Sequence, residues 1–146
     1  MFGAYTLHHV GIVMPTLDEA ARHMETFRLE EDYRGYVERW NCWCIFTKAP
    51  AGGTAIELVV ADSGPLLKFN KGMGGVHHFA YQVDDIHEAA RQCAQADLFL
   101  LEPEPIKGAG DFWCNFISPL STRGVQIELV QPWREGESEQ AAAQHA

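Results

Sequence analysis

The sequence predicts an α+β fold built from two tandem βαβββ modules. Two internal repeats and one recurring order of hydrophobic periodicity carry that prediction. HHVGIVMPTLDEAAR (His8 to Arg22) returns as HHFAYQVDDIHEAAR (His77 to Arg91), offset by 69 residues with six of fifteen positions identical, and IELV (Ile56 to Val59) returns at Ile127 to Val130, offset by 71. Self-similarity at nearly the same spacing marks a duplicated structural unit. Around these repeats each half reads as strand, helix, then three strands.

In the first half, Leu7 to Met14 is β-branched and apolar and is closed by Pro15-Thr16. Leu17 to Arg28 then places Leu17, Ala20, Ala21, Met24 and Phe27 at helical spacing, with Thr16 as N-cap and Asp18 and Glu19 in the first turn, where negative charge is favoured. Strands follow near Glu30 to Glu38, Trp40 to Lys48 and Thr54 to Ala61, divided by turn residues such as Pro50-Ala51-Gly52-Gly53. The second half repeats the order with a strand at Val76 to Val83, a helix at Asp85 to Ala96, and strands near Leu98 to Leu101, Phe112 to Ile117 and Gly124 to Gln131. The domain organisation expected is a first module at 1–61, a connector at 62–75 with a short helix at Pro65 to Asn70, a second module at 76–132, and an acidic, disordered tail at 133–146.

Alternation along the strands selects the candidate site. On the first strand His9, Gly11 and Val13 share one face and His8, Val10 and Ile12 the other; in the repeat His78, Ala80 and Gln82 oppose His77, Phe79 and Tyr81. The bulkier face belongs under the helices, which leaves His9 and His78 on an open concave side. The same test buries Ile56 and Leu58, or Ile127 and Leu129, and turns Glu57 and Glu128 toward that side. A carboxylate between buried aliphatic residues costs several kcal/mol unless protonated, paired or bound to a cation. That anomaly occurs twice, in register with two histidines, and two histidines with two carboxylates form a divalent-metal ligand set. His8 and His77 are expected to pack or to support the ligands from behind, and His23, His87 and His145 to sit on the surface.

The formal charge of −9 argues against nucleic acid or an anionic membrane as the partner. No apolar run reaches the roughly 20 residues of a spanning helix and the N-terminus does not read as a signal peptide, so a cytoplasmic protein is expected. Cys42, Cys44, Cys93 and Cys114 form no CxxC or zinc-ribbon spacing and read as reduced packing residues, with Cys44 a candidate for lining the cavity.

At these residues the chain resembles the vicinal oxygen chelate (glyoxalase/bleomycin resistance/dioxygenase) superfamily, and within it the methylmalonyl-CoA epimerases. The likeness lies in HHVGIVMPTLDEA, in GPLLKFNKGMGGVHHFAYQVDDIHEAA, whose connector is the most specific part, and in ISPLSTRGVQIELVQ. The resemblance implies paired βαβββ modules forming a cupped, barrel-like mixed sheet around one divalent metal ion, with His9, Glu57, His78 and Glu128 as ligands. Such a donor set accepts Co, Ni, Mn, Zn or Fe. It further implies a homodimer, and a small-molecule substrate, either an acyl-CoA or another carbonyl compound.

Two positions depart from the epimerase pattern. Where some members carry an acid/base carboxylate on the strand before IELV, this chain has Cys44 or Ile45, and where His-Pro-Lys is common it has Ser118-Pro119-Leu120. Lys68, Lys71, Lys107 and Arg123 remain as candidate anion contacts. The expected activity is metal-assisted proton transfer at a carbon next to a carbonyl, with Glu128 or Glu57 moving the proton and Trp43, Cys44, Trp113 and Arg123 as substrate-binding candidates. The alternatives are a glyoxalase I-type lyase, a non-haem iron extradiol-type dioxygenase, and a metabolite- or drug-binding member of the same fold. If Trp43 or Trp113 faces inward, the substrate is bulkier than a methylmalonyl group.

Overall fold

The computed structural model describes residues 6–139, which divide into one unit at residues 7–80 and another that begins at Tyr81. In the first, β1 (Thr6–Val13) leads into α1 (Leu17–Phe27), then β2 (Glu31–Val37), a 3-10 turn (Glu38–Trp40), β3 (Cys42–Thr47), β4 (Ala55–Ala61), a second 3-10 segment (Pro65–Gly72) and β5 (Gly75–Gln82). The strands lie in the order β2-β3-β4-β1-β5. The β1–β4 pair is parallel, with Gly11 opposite Glu57, while β2, β3 and β4 run antiparallel, with Phe46 opposite Glu57. Met14 N–H extends the parallel pairing by donating to Val59 O at 2.8 Å.

Helix α1 starts as its sequence requires. Thr16 is extended, and its Oγ1 accepts the N–H of Glu19 at 3.1 Å; Arg28 closes the helix in the left-handed region. Its buried face meets the sheet through Ala20, Ile45, Leu58 and Val60, with Ile12, Met14, Met24, Trp43 and Ile56 around them. Leu58 is fully buried, a contribution of about 1.5–3 kcal/mol.

The connector forms a 3-10 segment over Pro65–Gly72 that turns through two left-handed residues, Asn70 and Lys71. The Asn70 amide steadies it by donating to Gly74 O at 2.8 Å. Glycine is required at 74, where φ is +72° and a Cβ would lie 2.2 Å from Val13 O.

The second unit carries α2 (Ile86–Gln95), β6 (Ile106–Lys107), β7 (Phe112–Ile117) and β8 (Gln126–Pro132), the strands in the order β8-β7-β6. Asp85 caps α2, accepting the N–H groups of His87 and Glu88 at 2.9 Å. The core here is Ile86, Ala89, Cys93, Ile117 and Leu129, flanked by Trp113 and Ile127. Val83 N–H donates to Val130 O at 2.8 Å, the counterpart of the bond from Met14 to Val59.

The strand expected at Leu98 to Leu101 is not continuous. Leu100 makes a single bridge to Ile117, the chain leaves the sheet through Pro103 and Pro105, and pairing resumes at Ile106 opposite Cys114. Proline lacks the N–H a ladder needs. The buried Asn115 amide spans the break: its Oδ1 accepts Glu102 N–H at 3.2 Å and its Nδ2 donates to Glu102 O at 2.9 Å. Beyond β8, Trp133 and Arg134, which composition alone assigns to the tail, are anchored. Trp133 N–H donates to Asp111 O, its ring packs 5.6 Å from that of Trp113 beneath the Lys107 ammonium, and Arg134 donates to Asp84 O. Residues 140–146 of the expected tail, His145 among them, lie outside the described residues.

Candidate metal centre

Three residues from three strands of the first unit meet at one point. His9 on β1, Glu57 on β4 and His78 on β5 bring one donor atom each to within 4.8 Å of one another, the one such group of three among the described residues. Nε2 of His9 lies 3.1 Å from Nε2 of His78, and Oε2 of Glu57 lies 3.4 Å from the first and 3.0 Å from the second. These side chains are buried: His9 is 0 % exposed, His78 3 % and Glu57 5 %. The face expected to be open is therefore closed at the histidines. Part of the reason is Phe46, whose ring stacks on Tyr33 and meets the edge of His9 at 5.0 Å.

Alternation gathers these groups, and a missing side chain makes room for them. Gly11 follows His9 by two residues on β1, and a Cβ there would fall 2.0 Å from Cε1 of His78. The ring of His78 thus lies across the bare backbone of β1. Ile56 and Leu58, on either side of Glu57, pack toward α1 and leave the carboxylate on the histidine side.

Burial alone would push the Glu57 carboxyl up. The charge of His9, with the short contacts and charge of His78, more than offsets it and holds the group well below the usual carboxylate range. Oε2 is buried, and the polar atoms that face it are the two imidazole nitrogens. Beside it, the Cys44 thiol is pushed well up by its contact with Cys42, whose sulfur is 3.9 Å away, by burial and by the Glu57 charge. Cys44 is therefore a neutral thiol next to an anion. Two imidazole nitrogens and a buried carboxylate oxygen, brought together where Gly11 lets the His78 ring lie against β1, fit a divalent cation of the borderline class.

Of the four ligands expected from the repeat, His9, Glu57 and His78 are brought together. Glu128 belongs to the second unit, where it is buried on β8 opposite Phe116. Trp43 and Trp113 pack on the helix-facing clusters of their units, so the condition for a bulkier substrate is not met by either ring. Arg123 is exposed in the turn before β8, with φ +57°. Lys68 and Lys71 are exposed on the connector, and Lys107 is half-buried. His87 is exposed, whereas His23 is half-buried with its ring 4.7 Å from Phe27.

Alternation at the two IELV strands does not reveal Phe46 as a neighbour of His9. A signal was present nonetheless: Trp-Cys-x-Phe occurs at Trp43 to Phe46 and again at Trp113 to Phe116, each Phe opposite the Glu of its IELV strand. His8 and His77 are the other neighbours missed in detail, since each presents Nδ1 to Nδ1 of the following histidine, at 2.8 and 2.9 Å.

Comparison with known proteins gives the arrangement a context. Residues 8–116 match the glyoxalase/bleomycin resistance protein/dioxygenase superfamily. A mitochondrial methylmalonyl-CoA epimerase of Dictyostelium discoideum is 30% identical over 135 residues, covering 88% of this chain and 80% of the relative. An ethylmalonyl-CoA/methylmalonyl-CoA epimerase of Cereibacter sphaeroides is 30% identical over 131 residues, covering 86% of this chain and 96% of the relative. Among solved structures, methylmalonyl-CoA epimerase from Mycobacterium tuberculosis superposes with a TM-score of 0.81 at 25% identity, covering 88% of this chain and 89% of that one.

Proposed function

Because the chain belongs to the glyoxalase/bleomycin resistance protein/dioxygenase superfamily, we propose that it is a divalent-metal-dependent epimerase that moves the proton on the carbon next to a thioester carbonyl, with a short branched acyl-CoA as substrate. The observation that carries this reading is the buried convergence of His9, Glu57 and His78. The epimerase relatives support the reaction class. A divalent ion held by these residues would stabilise the negative charge that develops on a substrate carbonyl oxygen as the neighbouring proton leaves.

The residues divide the remaining work by their environments. Glu57, held ionised by two imidazoles, is a ligand and a poor base. Cys44 keeps its proton and cannot act as the base either. Glu128, the counterpart of Glu57 in the repeat, is assigned as fourth ligand and as the carboxylate that removes and returns the proton. Epimerisation also needs a proton delivered to the opposite face of the carbanion, and solvent or a group outside the four-residue set supplies it.

The test is proton NMR of methylmalonyl-CoA and ethylmalonyl-CoA in deuterated buffer with Co-loaded protein, corrected for background exchange, with Glu128→Gln as control. Loss of the α-proton signal with conversion between stereoisomers, abolished by the substitution, is the expected result. No exchange by metal-loaded wild-type protein would remove both substrates, and hemithioacetals would be tried next.

A further inference from the structure

We propose that His8 and His77 are positioning residues for the metal centre, each accepting the Nδ1–H of the imidazole that follows it and so leaving the Nε2 lone pairs of His9 and His78 aimed at the ion. The inference rests on the metal reading given above.

A neutral imidazole carries one N–H and one lone pair, and the tautomer decides which nitrogen has which. The Nε2 atoms of His9 and His78 lie 3.1 Å apart, a separation at which both cannot carry a hydrogen. In the absence of an ion, one donates to the other or to Glu57. An ion needs a lone pair from both, so both must be protonated at Nδ1. Each Nδ1 already has a nitrogen within hydrogen-bond reach, Nδ1 of His8 at 2.8 Å and Nδ1 of His77 at 2.9 Å. One proton serves each contact. With the inner ring as donor, the outer ring is the acceptor and carries its own hydrogen on Nε2.

The outer rings are themselves held. Thr54 Oγ1 donates to the carbonyls of Leu7 and His8 at 3.1 and 3.0 Å, fixing the backbone at His8, and the ring of Phe69 meets that of His77 at 5.0 Å and 75°. The Nδ1 contacts agree to 0.1 Å and the paired rings stand steeply inclined in both, at 74° and 88°. The geometry recurs in both copies of the repeat, and in both it places an acceptor behind the nitrogen that must carry the hydrogen. Partners behind a metal ligand are worth about 10–100-fold in metal affinity.

Zinc binding to the apo protein, measured by calorimetry with a competing chelator, is the first experiment, on wild type, His77→Phe, His77→Gln, His8→Phe and His8→Gln. Phenylalanine keeps a ring without an acceptor, and glutamine restores an acceptor. The phenylalanine variants are expected to bind Zn²⁺ about 10–100-fold more weakly, with glutamine recovering most of the loss. Long-range ¹H–¹⁵N spectra of Zn-loaded wild type should show His9 and His78 protonated at Nδ1 and His8 and His77 at Nε2, a signature that needs no variant to fold. Unchanged affinity in the phenylalanine variants, or Nδ1 protonation of His8 and His77, would overturn the proposal. Failure of wild type to bind Zn²⁺ or Co²⁺ would sink the metal reading, an outcome distinct from wild-type binding with unaffected variants.

Discussion

Replacing Gly11 with alanine should abolish metal binding while costing no more stability than a comparable clash elsewhere. The new Cβ would sit 2.0 Å from Cε1 and 2.4 Å from Nδ1 and Nε2 of His78. Ordinary carbon contacts begin near 3.4 Å, so the ring must retreat by at least about 1.4 Å. Such a shift takes Nε2 away from the position it shares with His9 and Glu57. Since supporting partners alone are worth about 10–100-fold in affinity, displacement of a ligand should weaken Zn²⁺ binding by more than about 100-fold. Overpacking of this kind costs about 1–3 kcal/mol, which for a chain of this length lowers Tm by about 2–12 °C.

The second unit supplies the control. A Cβ at Gly108 would meet Cε2 of Phe112 at the same 2.0 Å, in the same range of cost but against a ring that is not one of the assigned ligands. Calorimetric zinc titration and thermal unfolding of both variants separate the two effects. If Gly11→Ala binds Zn²⁺ within about twofold of wild type, or if Gly108→Ala loses the metal equally, the placement of His78 across β1 is wrong.

Three further outcomes follow from features already described. Asp85 is held below its ordinary value mainly by the Glu88 N–H, against a small opposing effect of burial and with help from the His87 N–H and nearby positive charge. Its folded pKa is thus below its unfolded one, so its contribution is present above the unfolded value and lost as pH falls through the folded value; Asp85→Ala should cost about 0.5–2 kcal/mol at pH 7 in urea unfolding, with a gap that closes in acid, and a pH-independent gap would contradict the cap. Asn115→Ala should cost about 1–3 kcal/mol, because it unmakes both links to Glu102 at the break in the strand; a change below about 0.5 kcal/mol would show that the break needs no bridge. All four cysteines are free and buried, and Cys44 is pushed up by Cys42, burial and Glu57, so the native protein should resist thiol reagents at neutral pH and react fully once unfolded; rapid labelling of native Cys44 would refute its neutral state.

The strongest features of the fold were legible because they depend on local chemistry that repeats. Thr16 and Asp85 sit where an N-cap must, and strand alternation around Ile56 and Leu58 was enough to turn Glu57 toward the histidines. That Leu98 to Leu101 makes only a single bridge was harder to see, since it depends on the partner Ile117, far along the chain, and on Asn115 holding Glu102 in place of a ladder. Trp43 and Trp113 could be placed only once the partners of their strands were known, because alternation fixes that neighbours oppose one another but not which face a helix covers. The Nδ1 contacts of His8 and His77 were illegible in principle: adjacent strand residues point to opposite faces, and only the particular ring rotations bring the two nitrogens together.

The glycine under His78 also bears on the history of the duplication. The position in the second copy that corresponds to Gly11 is Ala80, fully buried and already carrying a methyl group. The two strands are therefore not interchangeable: β1 bears no side chain at position 11, where the other copy's histidine lies across it, while His9 rests against Phe46. An ancestor assembled from two identical halves would have had glycine at both positions or at neither. The present chain is committed to its asymmetry, and exchanging its first and second histidine motifs would put a methyl group where the His78 ring now lies.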